Sequence, residues 1–239
     1  MEKRDVVIQL GHCYRTTGAT GTSGHRGSEQ DFVSKVGLKA RDELIALGVN
    51  AVALGADALL PDSEVFVALH QDGGPASARG ASVGYPANSP ASPAVAKYWK
   101  AKYQSSGWPS GFRPDNYTLG LRRYYGFRRN NSPVKFLIEH GFATNIYDEN
   151  WMWDNIDKCV DAIVDACLYG LLNIEESDDG MIQLINDPNT KRMFATFMND
   201  GTTTVREYNT YLPTAGEALP NISYIIDSQV ADGKIKQVD

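Results

Sequence analysis

Residues 136–145 read Phe136-Leu137-Ile138-Glu139-His140-Gly141-Phe142-Ala143-Thr144-Asn145, a strand-like run that closes on one carboxylate. Upstream of this run the chain carries His12, Glu29 and His70. Two histidines and a carboxylate suffice as protein ligands to a zinc ion and leave one coordination position open for water. Glu139 is then free to move the proton of that water. The combination predicts a zinc-dependent hydrolase site.

The first 174 residues alternate strand-like runs with helical patterns. This alternation is typical of an α/β fold, with a mostly parallel or mixed twisted sheet and helices on both of its faces. Helices are predicted to start at Ser28, with Asp31 three residues on, at Ser92 as a cap before a proline, and at about Glu149 for a long helix to Leu172. The predicted strands are residues 6–10, 50–54, 65–70, 120–124 and 134–139.

On this map the four site residues all lie at the ends of elements. His12 follows the first strand, Glu29 opens the first helix, and His70 and Glu139 end two further strands. In open α/β sheets, ligands bind in the crevice beyond the carboxyl ends of the strands. One such residue alone is more often a satisfied polar group, but their joint placement favours a site.

Composition narrows the class of protein. The chain of 239 residues is 42% hydrophobic and 22% charged, which is ordinary for a soluble protein. No apolar run reaches the length of about 18 residues that a membrane span needs, so no membrane insertion is expected. The first apolar run, residues 6–10, is too short for a signal peptide, which predicts a cytoplasmic protein. Three cysteines without a C-x-x-C spacing argue against disulfides and a cysteine zinc site.

Charge divides the chain near residue 175. Residues 175–239 hold 11 acidic and five basic residues, which accounts for the whole net charge of −6. This asymmetry predicts a catalytic domain over 1–174 and an acidic C-terminal module over 175–239. Turn signals between alternating runs predict a small β-rich meander in the module, closed by an amphipathic stretch at 222–230. We expect the module to bind the substrate of the catalytic domain, to dock on that domain or to form a homo-oligomer.

The site residues also carry a resemblance. Gly11-His12, Glu29, His70 and the run Glu139-His140-Gly141-Phe142-x-x-Asn145 are similar to zinc-dependent N-acetylmuramoyl-L-alanine amidases of the amidase-3 type, over about residues 5–173. The resemblance implies that His12, Glu29 and His70 bind Zn²⁺ and that Glu139 is the catalytic acid and base. It also implies the reaction, which is cleavage of the amide between N-acetylmuramic acid and the L-alanine of the stem peptide in bacterial peptidoglycan.

Three features depart from that pattern or leave a choice open. The third ligand is followed by Gln71-Asp72, where such enzymes usually show His-x-Asn. His140 stands where a small or apolar residue is common, and a supporting or rim position is the preferred interpretation over a catalytic one. His25, four residues before Glu29 in a glycine-rich stretch, is an alternative second ligand.

The segment from Leu121 to Arg129 interleaves arginines with aromatic residues. Nucleic-acid binding is not expected, because the catalytic domain is net neutral and lacks a nucleic-acid motif. Pairing with stem-peptide carboxylates suits the planar guanidinium better, and a solvated surface is the equal alternative. Arg122 and Arg128 are therefore candidate substrate-binding residues. Asn145, at the end of the run that begins at Phe136, is the third candidate.

The predicted biological role is that of a bacteriophage or prophage endolysin. Such an enzyme stays in the host bacterial cytoplasm until lysis and then reaches the cell wall. The alternatives are a host autolysin with the same chemistry, a zinc peptidase acting on wall peptides, and a non-catalytic wall-binding protein. Retention of all three ligand candidates and of Glu139 argues against the last.

Overall fold

The computed structural model describes residues 2–16 and 18–173, together with three strands between residues 182 and 208. Contacts between Cα atoms divide the chain into two units, Met1–Ile174 and Glu175–Asp239. The strands of the first unit are β1 (Arg4–Leu10), β2 (Ala51–Gly55), β3 (Ser63–Asp72), β4 (Ser82–Gly84) and β5 (Val134–Phe142). Its helices are α1 (Glu29–Ala46), α2 (Ser92–Ser105), α3 (Leu119–Arg122), α4 (Ile146–Asp154) and α5 (Ile156–Asn173), with a 3₁₀ turn at Tyr125–Arg128.

The five strands form one mixed sheet in the order β2-β1-β3-β5-β4. β1, β2, β3 and β5 run parallel, and the short strand β4 runs antiparallel to β5. The central strands β3 and β5 are buried along most of their length, as expected for strands covered on both faces. The predicted α/β class and mixed sheet are confirmed.

The two faces of the sheet are covered differently. The long helices α1 and α2 both pack against α5 and together cover one face. On the other face a cluster of buried side chains joins the sheet to the segment that holds α3 and the 3₁₀ turn. Its members are Val7, Leu60, Phe66, Ala68, Leu121, Phe127 and Leu137. The second face is the one on which the site lies.

The start of α1 was predicted correctly, and it fixes one site residue. Ser28 caps the helix by accepting a hydrogen bond from the backbone N–H of Asp31, and Asp31 accepts one from the backbone N–H of Ser28. This reciprocal pair satisfies two N–H groups that the first turn would otherwise leave unpaired. Glu29 is therefore held in the first helical turn.

Three predicted elements were wrong in detail. Residues 120–124 form α3 and the approach to the 3₁₀ turn rather than a strand, because Thr118 accepts a hydrogen bond from Leu121 N and caps a helical turn. The long helix predicted from residue 149 is two helices, α4 and α5, with a break at Asn155. The N-cap of α2 is Ala91 and not Ser92. The hydroxyl of Ser92 instead accepts a hydrogen bond from Lys135 N.

The second unit contains three described strands. β6 (Ile182–Asp187), β7 (Arg192–Asn199) and β8 (Thr202–Tyr208) pair antiparallel in that order. The predicted meander is confirmed over these strands, whereas the amphipathic stretch at 222–230 lies outside the described residues. No helix in the described part of the chain is both long and apolar enough to cross a membrane. The three cysteines are buried and free.

Candidate metal centre and active site

The predicted site residues meet at the carboxyl edge of the sheet. His70 in β3 pairs in register with Glu139 of the neighbouring parallel strand β5. His12 lies in the turn that follows β1, and Glu29 begins α1. The ends of three adjacent strands and one helix therefore bring all four residues together.

Three of these residues form a tight cluster. The nearest potential ligand atoms of His12, Glu29 and His70 all lie within 4.8 Å of one another. Glu29 Oε1 is 2.9 Å from His70 Nδ1 and 3.7 Å from His12 Nε2. Glu29 and His70 are buried, and His12 is partly exposed. Among the residues that the structure describes, this is the one group of histidine, cysteine and acidic side chains placed closely enough to hold a metal ion.

Glycine at two positions allows this close approach. A Cβ atom at Gly11 would lie 2.6 Å from His70 Nδ1, and one at Gly21 would lie 2.6 Å from Glu29 Oε2. Gly21 also has a φ of 87°, which residues with a side chain rarely adopt. His12 itself has a φ of 58°, an uncommon conformation of the kind that concentrates at functional sites.

The environment of Glu29 keeps its carboxylate ionised. The backbone N–H groups of Thr22 and Gln71 donate hydrogen bonds to its two oxygens, over 2.9 and 3.1 Å. Burial opposes ionisation, but the hydrogen bond and charge of His70, with contributions from Thr22 and His12, outweigh it and lower the pKa of Glu29. The cluster therefore offers one anionic oxygen ligand.

Each histidine has a hydrogen-bond partner on the nitrogen that faces away from Glu29. His12 Nδ1 lies 2.8 Å from the carbonyl oxygen of Ala19, which can only accept, so Nδ1 carries the proton and Nε2 presents a lone pair. His70 Nε2 lies 3.0 Å from the hydroxyl of Tyr124. Burial raises the pKa of Tyr124 well above its usual range, so the phenol stays protonated. Such outer partners orient the rings of metal-binding histidines.

Glu139 lies beside the cluster with an oxygen to spare. The side chain is partly buried in the wall of the sheet edge, and its buried Oε2 has no hydrogen-bond partner in the described part of the chain. Desolvation, followed by the nearby charges of Asp72 and Glu29, raises the pKa of Glu139 well above its ordinary value. A carboxyl group with a raised pKa can accept a proton and hold it long enough to return it.

A second carboxylate, Asp72, faces the same space. Its Oδ2 accepts a hydrogen bond from the hydroxyl of Tyr117. Burial raises the pKa of Asp72, and this rise is partly offset by Tyr117 and by the charge of Arg113. The guanidinium of Arg113 stacks over the rings of Tyr117 and Phe142, at 5.3 and 4.7 Å. Asp72 thus stands in a polar wall beside Glu139.

A pocket of about 350 Å³ opens onto these groups. It is lined by His12, Arg15, His70, Asp72, Tyr117, Thr118, Gly120, Leu121, Tyr124, Tyr125, Leu137 and Glu139. Sequence reasoning missed Arg15, Asp72, Tyr117 and Tyr124 as members of this site. Arg15 lies three residues after His12, and that proximity was the one available signal.

The three predicted substrate-binding residues do not line this pocket. Arg122 and Arg128 are exposed on the segment beside it. Asn145 is buried at the start of α4, where its Oδ1 accepts hydrogen bonds from Tyr147 N and Asp148 N. Its amide nitrogen donates to the carbonyl of Ala76, so the whole amide is engaged within the fold. The geometry gives Asn145 a helix-capping position and lends no support to a substrate contact.

The two remaining histidines lie away from the cluster. His25 bonds to the buried carboxylate of Glu149 through both its ring and its backbone N–H, which leaves Glu29 as the carboxylate beside His12 and His70. His140 is fully buried, so the rim alternative was wrong, while the supporting position stays a prediction. Adjacent strand residues face opposite ways, and His140 contacts Phe32 and Tyr103 on the helix-covered face.

Comparison with known proteins gives one family. A family profile described as N-acetylmuramoyl-L-alanine amidase, Amidase_3, matches residues 6–169. Over 131 residues the chain is 40% identical to the N-acetylmuramoyl-L-alanine amidase Rv3717 of Mycobacterium tuberculosis, covering 45% of this chain and 52% of that protein. The match thus spans about half the length of that relative.

Solved structures share the fold. The amidase Ami1 from Mycobacterium smegmatis superposes with a TM-score of 0.57 at 23% identity, over 70% of this chain and 96% of its own. The amidase AmiC2 of Nostoc punctiforme gives a TM-score of 0.55 at 20% identity, over the same shares of the two chains. At these identities the likeness establishes the arrangement of strands and helices.

Proposed function

This chain belongs to the amidase-3 family of N-acetylmuramoyl-L-alanine amidases, and we propose from that premise that it hydrolyses bacterial peptidoglycan. The bond is the amide between the lactyl group of N-acetylmuramic acid and the L-alanine of the stem peptide. The observation that carries the proposal is the cluster of His12, Glu29 and His70 beside Glu139 Oε2, which has no hydrogen-bond partner among the described residues. His12, His70 and Glu139 line one pocket.

The cluster fits a zinc ion. Nitrogen and oxygen ligands bound to tetrahedral zinc at about 2.0–2.2 Å stand about 3.3 Å apart. The separations from Glu29 Oε1, 2.9 Å to His70 Nδ1 and 3.7 Å to His12 Nε2, lie on either side of that value. We assign Glu29 Oε1, His70 Nδ1 and His12 Nε2 as the three atoms that would bind the zinc ion. When bound, zinc supplies Lewis-acid activation of water and of the scissile carbonyl.

Glu139 is the group that moves the proton. Oε2 accepts a proton from the attacking water as its oxygen bonds to the carbonyl carbon. The same carboxyl then donates that proton to the alanine nitrogen as the C–N bond breaks, because the nitrogen cannot leave as an anion. The raised pKa of Glu139 suits both steps, since the carboxyl holds the proton long enough to return it. Water is the sole co-reactant, and the products are a carboxylic acid and a free peptide amine.

Product analysis tests this proposal directly. Purified peptidoglycan is digested with the protein, and the soluble products are identified by mass spectrometry. We expect free stem peptides that begin with L-alanine, and we expect their release to stop after treatment with a chelator and to return with added zinc. Cleavage between two amino acids instead would favour the zinc peptidase, and binding to walls without any cleavage would favour a non-catalytic wall-binding protein.

The biological setting is a separate proposal. We propose that the enzyme is a phage endolysin that accumulates in the host cytoplasm and reaches the wall once another protein opens the membrane. The relatives described above come from bacteria, so a bacterial autolysin is the competing role. Expression in a bacterial host separates the two roles. An endolysin lyses the cells when a membrane-permeabilising protein is produced with it, whereas an exported autolysin needs no such protein.

The second unit, Glu175–Asp239, is proposed to bind the cell wall. Its support is the concentration of acidic residues in the sequence and the antiparallel sheet of β6, β7 and β8. Self-association of this unit is the alternative that its small sheet also permits.

A further inference from the structure

The pocket has charge of both signs on its walls. Glu139 and Asp72 supply carboxylates on the β5 side of His70, and Arg15 is the one arginine or lysine among the lining residues. β1, which precedes Arg15, and β5, which carries Glu139, lie on opposite sides of β3. Arg15 and Glu139 therefore approach the cluster from the sides of two different strands, and both line the same pocket.

Arg15 is held in place by three neighbours. Its Nε donates to Asp57 Oδ1 over 3.3 Å, and its Nη1 donates to the carbonyl of Ala19 over 3.4 Å. The guanidinium lies 5.8 Å from the ring centre of Tyr125. The same Ala19 carbonyl accepts the proton of His12 Nδ1, so Arg15 and His12 are tied to one atom. The side chain is 24% exposed, and its position is linked to the cluster.

One end of this guanidinium is left for a ligand. Within residues 2–16 and 18–173, no acceptor bonds to Nη2 of Arg15, although its Nε and Nη1 are both engaged. Nη2 carries two N–H donors, so it can form a charge-assisted hydrogen bond to a carboxylate that enters the pocket. Asp57 holds the guanidinium through Nε and leaves Nη2 available.

We propose that Arg15 binds the first free carboxylate of the stem peptide and makes the enzyme prefer the acid over the amide at that position. This inference rests on the proposed function. In a stem peptide the residue after L-alanine is a γ-linked D-glutamate, whose α-carboxyl is either free or amidated. An extended chain advances about 3.3–3.6 Å per residue, so this group lies roughly 7 Å from the scissile carbonyl. Arg15 lines the same pocket as Glu139, on the wall that such a group would meet.

The test compares two peptides that differ only at this group. They are L-alanyl-γ-D-glutamyl-L-lysine and its counterpart with the α-carboxyl amidated. Binding to the full-length protein with zinc bound is measured by calorimetry. We expect the acid to bind about 10- to 100-fold more tightly, the range for a charge-assisted pair. Arg15→Gln should abolish the preference, and Arg15→Lys should retain part of it because the charge remains without the fork.

Arg122→Gln is the matched control, since Arg122 is an exposed arginine that does not line the pocket. It should keep the full preference. Thermal unfolding of each variant verifies that the fold is intact. Equal binding of the two peptides by the unmodified protein, or a preference that survives Arg15→Gln, would overturn the proposal. A separate experiment tests the proposed function, which fails if no L-alanine peptides are released from peptidoglycan. The binding comparison decides the role of Arg15 in either case.

Discussion

The hydroxyl of Tyr124 lies 3.0 Å from His70 Nε2, on the side of the ring away from Glu29. The two rings meet edge to face, with 5.3 Å between their centres. Tyr124 therefore holds the orientation of His70 from outside the cluster. Because a histidine ligand binds with one nitrogen, the hydrogen bond at the other nitrogen sets both its tautomer and its direction.

Removal of that hydroxyl should weaken metal binding. We expect Tyr124→Phe to lower zinc affinity about 10- to 100-fold, which is typical for loss of an outer partner of a ligand. Competition with a chromophoric chelator measures the affinity without reference to activity. Tyr85→Phe is the matched control, because Tyr85 donates to Asp115 and does not line the pocket. Equal affinities in the two variants would mean that Tyr124 does not orient His70.

Metal content should separate the two candidate ligand sets. His70→Ala removes a buried member of the cluster and should lose both bound zinc and activity. His25→Ala should retain zinc, because His25 bonds to Glu149 and not to Glu29. Elemental analysis of the two purified variants gives the answer. Loss of zinc from His25→Ala would return His25 to the ligand set.

Glu139→Gln should separate chemistry from binding. The amide has the shape of the carboxyl but cannot accept the water proton, so turnover should fall by roughly two to four orders of magnitude. Zinc content and thermal stability should match those of the unmodified protein, since Oε2 makes no hydrogen bond to the described residues that the change would break. Release of L-alanine peptides from soluble muropeptides measures the turnover. Zinc loss in this variant would identify Glu139 as a ligand.

The cluster could be predicted from the sequence because its members lie where regular elements begin and end. The helix cap at Ser28 and Asp31 places Glu29, and the alternation of β3 and β5 places His70 beside Glu139. Such positions follow from local patterns that act over a few residues. The meeting of these four residues at one edge of the sheet could therefore be predicted without a structure.

The opposite wall of the pocket could not be predicted in the same way. Residues 120–124 were predicted as a strand, but a cap at Thr118 and packing of Leu121 and Phe127 on the sheet turn this segment into short helical turns. Tertiary contacts of this kind override the local pattern. Arg15 lies three residues after His12, which placed it near the site, but its position is fixed by a bond to Asp57, a partner 42 residues away in the chain.

His140 should make the protein sensitive to mild acid. Burial, with the charge of His70, lowers the pKa of His140 from 6.5 to about 3. At a pH between these two pKa values, His140 is protonated in the unfolded chain but not in the folded protein. The free energy of unfolding therefore decreases as the pH falls. The loss should reach about 2 kcal/mol near pH 5.

Replacement by an apolar ring tests this dependence. Both ring nitrogens of His140 lack a hydrogen-bond partner in the described part of the structure, so His140→Phe should preserve or raise stability at neutral pH. The variant should also lose less of its free energy of unfolding than the unmodified protein when the pH is lowered from about 6.5 to 5. Urea unfolding of both proteins with zinc removed by a chelator gives the comparison. An unchanged pH dependence would assign the acid sensitivity to other groups.

Truncation after Asn173 should leave a folded and active catalytic unit. The buried hydrophobic residues of the described first unit all precede the cut, with Cys167 the last of them in the chain. The Ami1 structure, which has the same fold, is covered over 96% of its length by 70% of this chain. We therefore expect residues 1–173 to release L-alanine peptides from soluble muropeptides at the rate of the full chain.

The same truncation tests the role of the second unit. Binding to intact walls, measured by cosedimentation, should weaken if Glu175–Asp239 binds the wall. An insoluble or inactive truncated protein would instead show that the second unit supports the first, and the wall-binding proposal would fail. If the truncated protein is soluble and active and its wall binding is unchanged, self-association is the role that remains. Sedimentation velocity of the truncated protein and of the full chain tests that role.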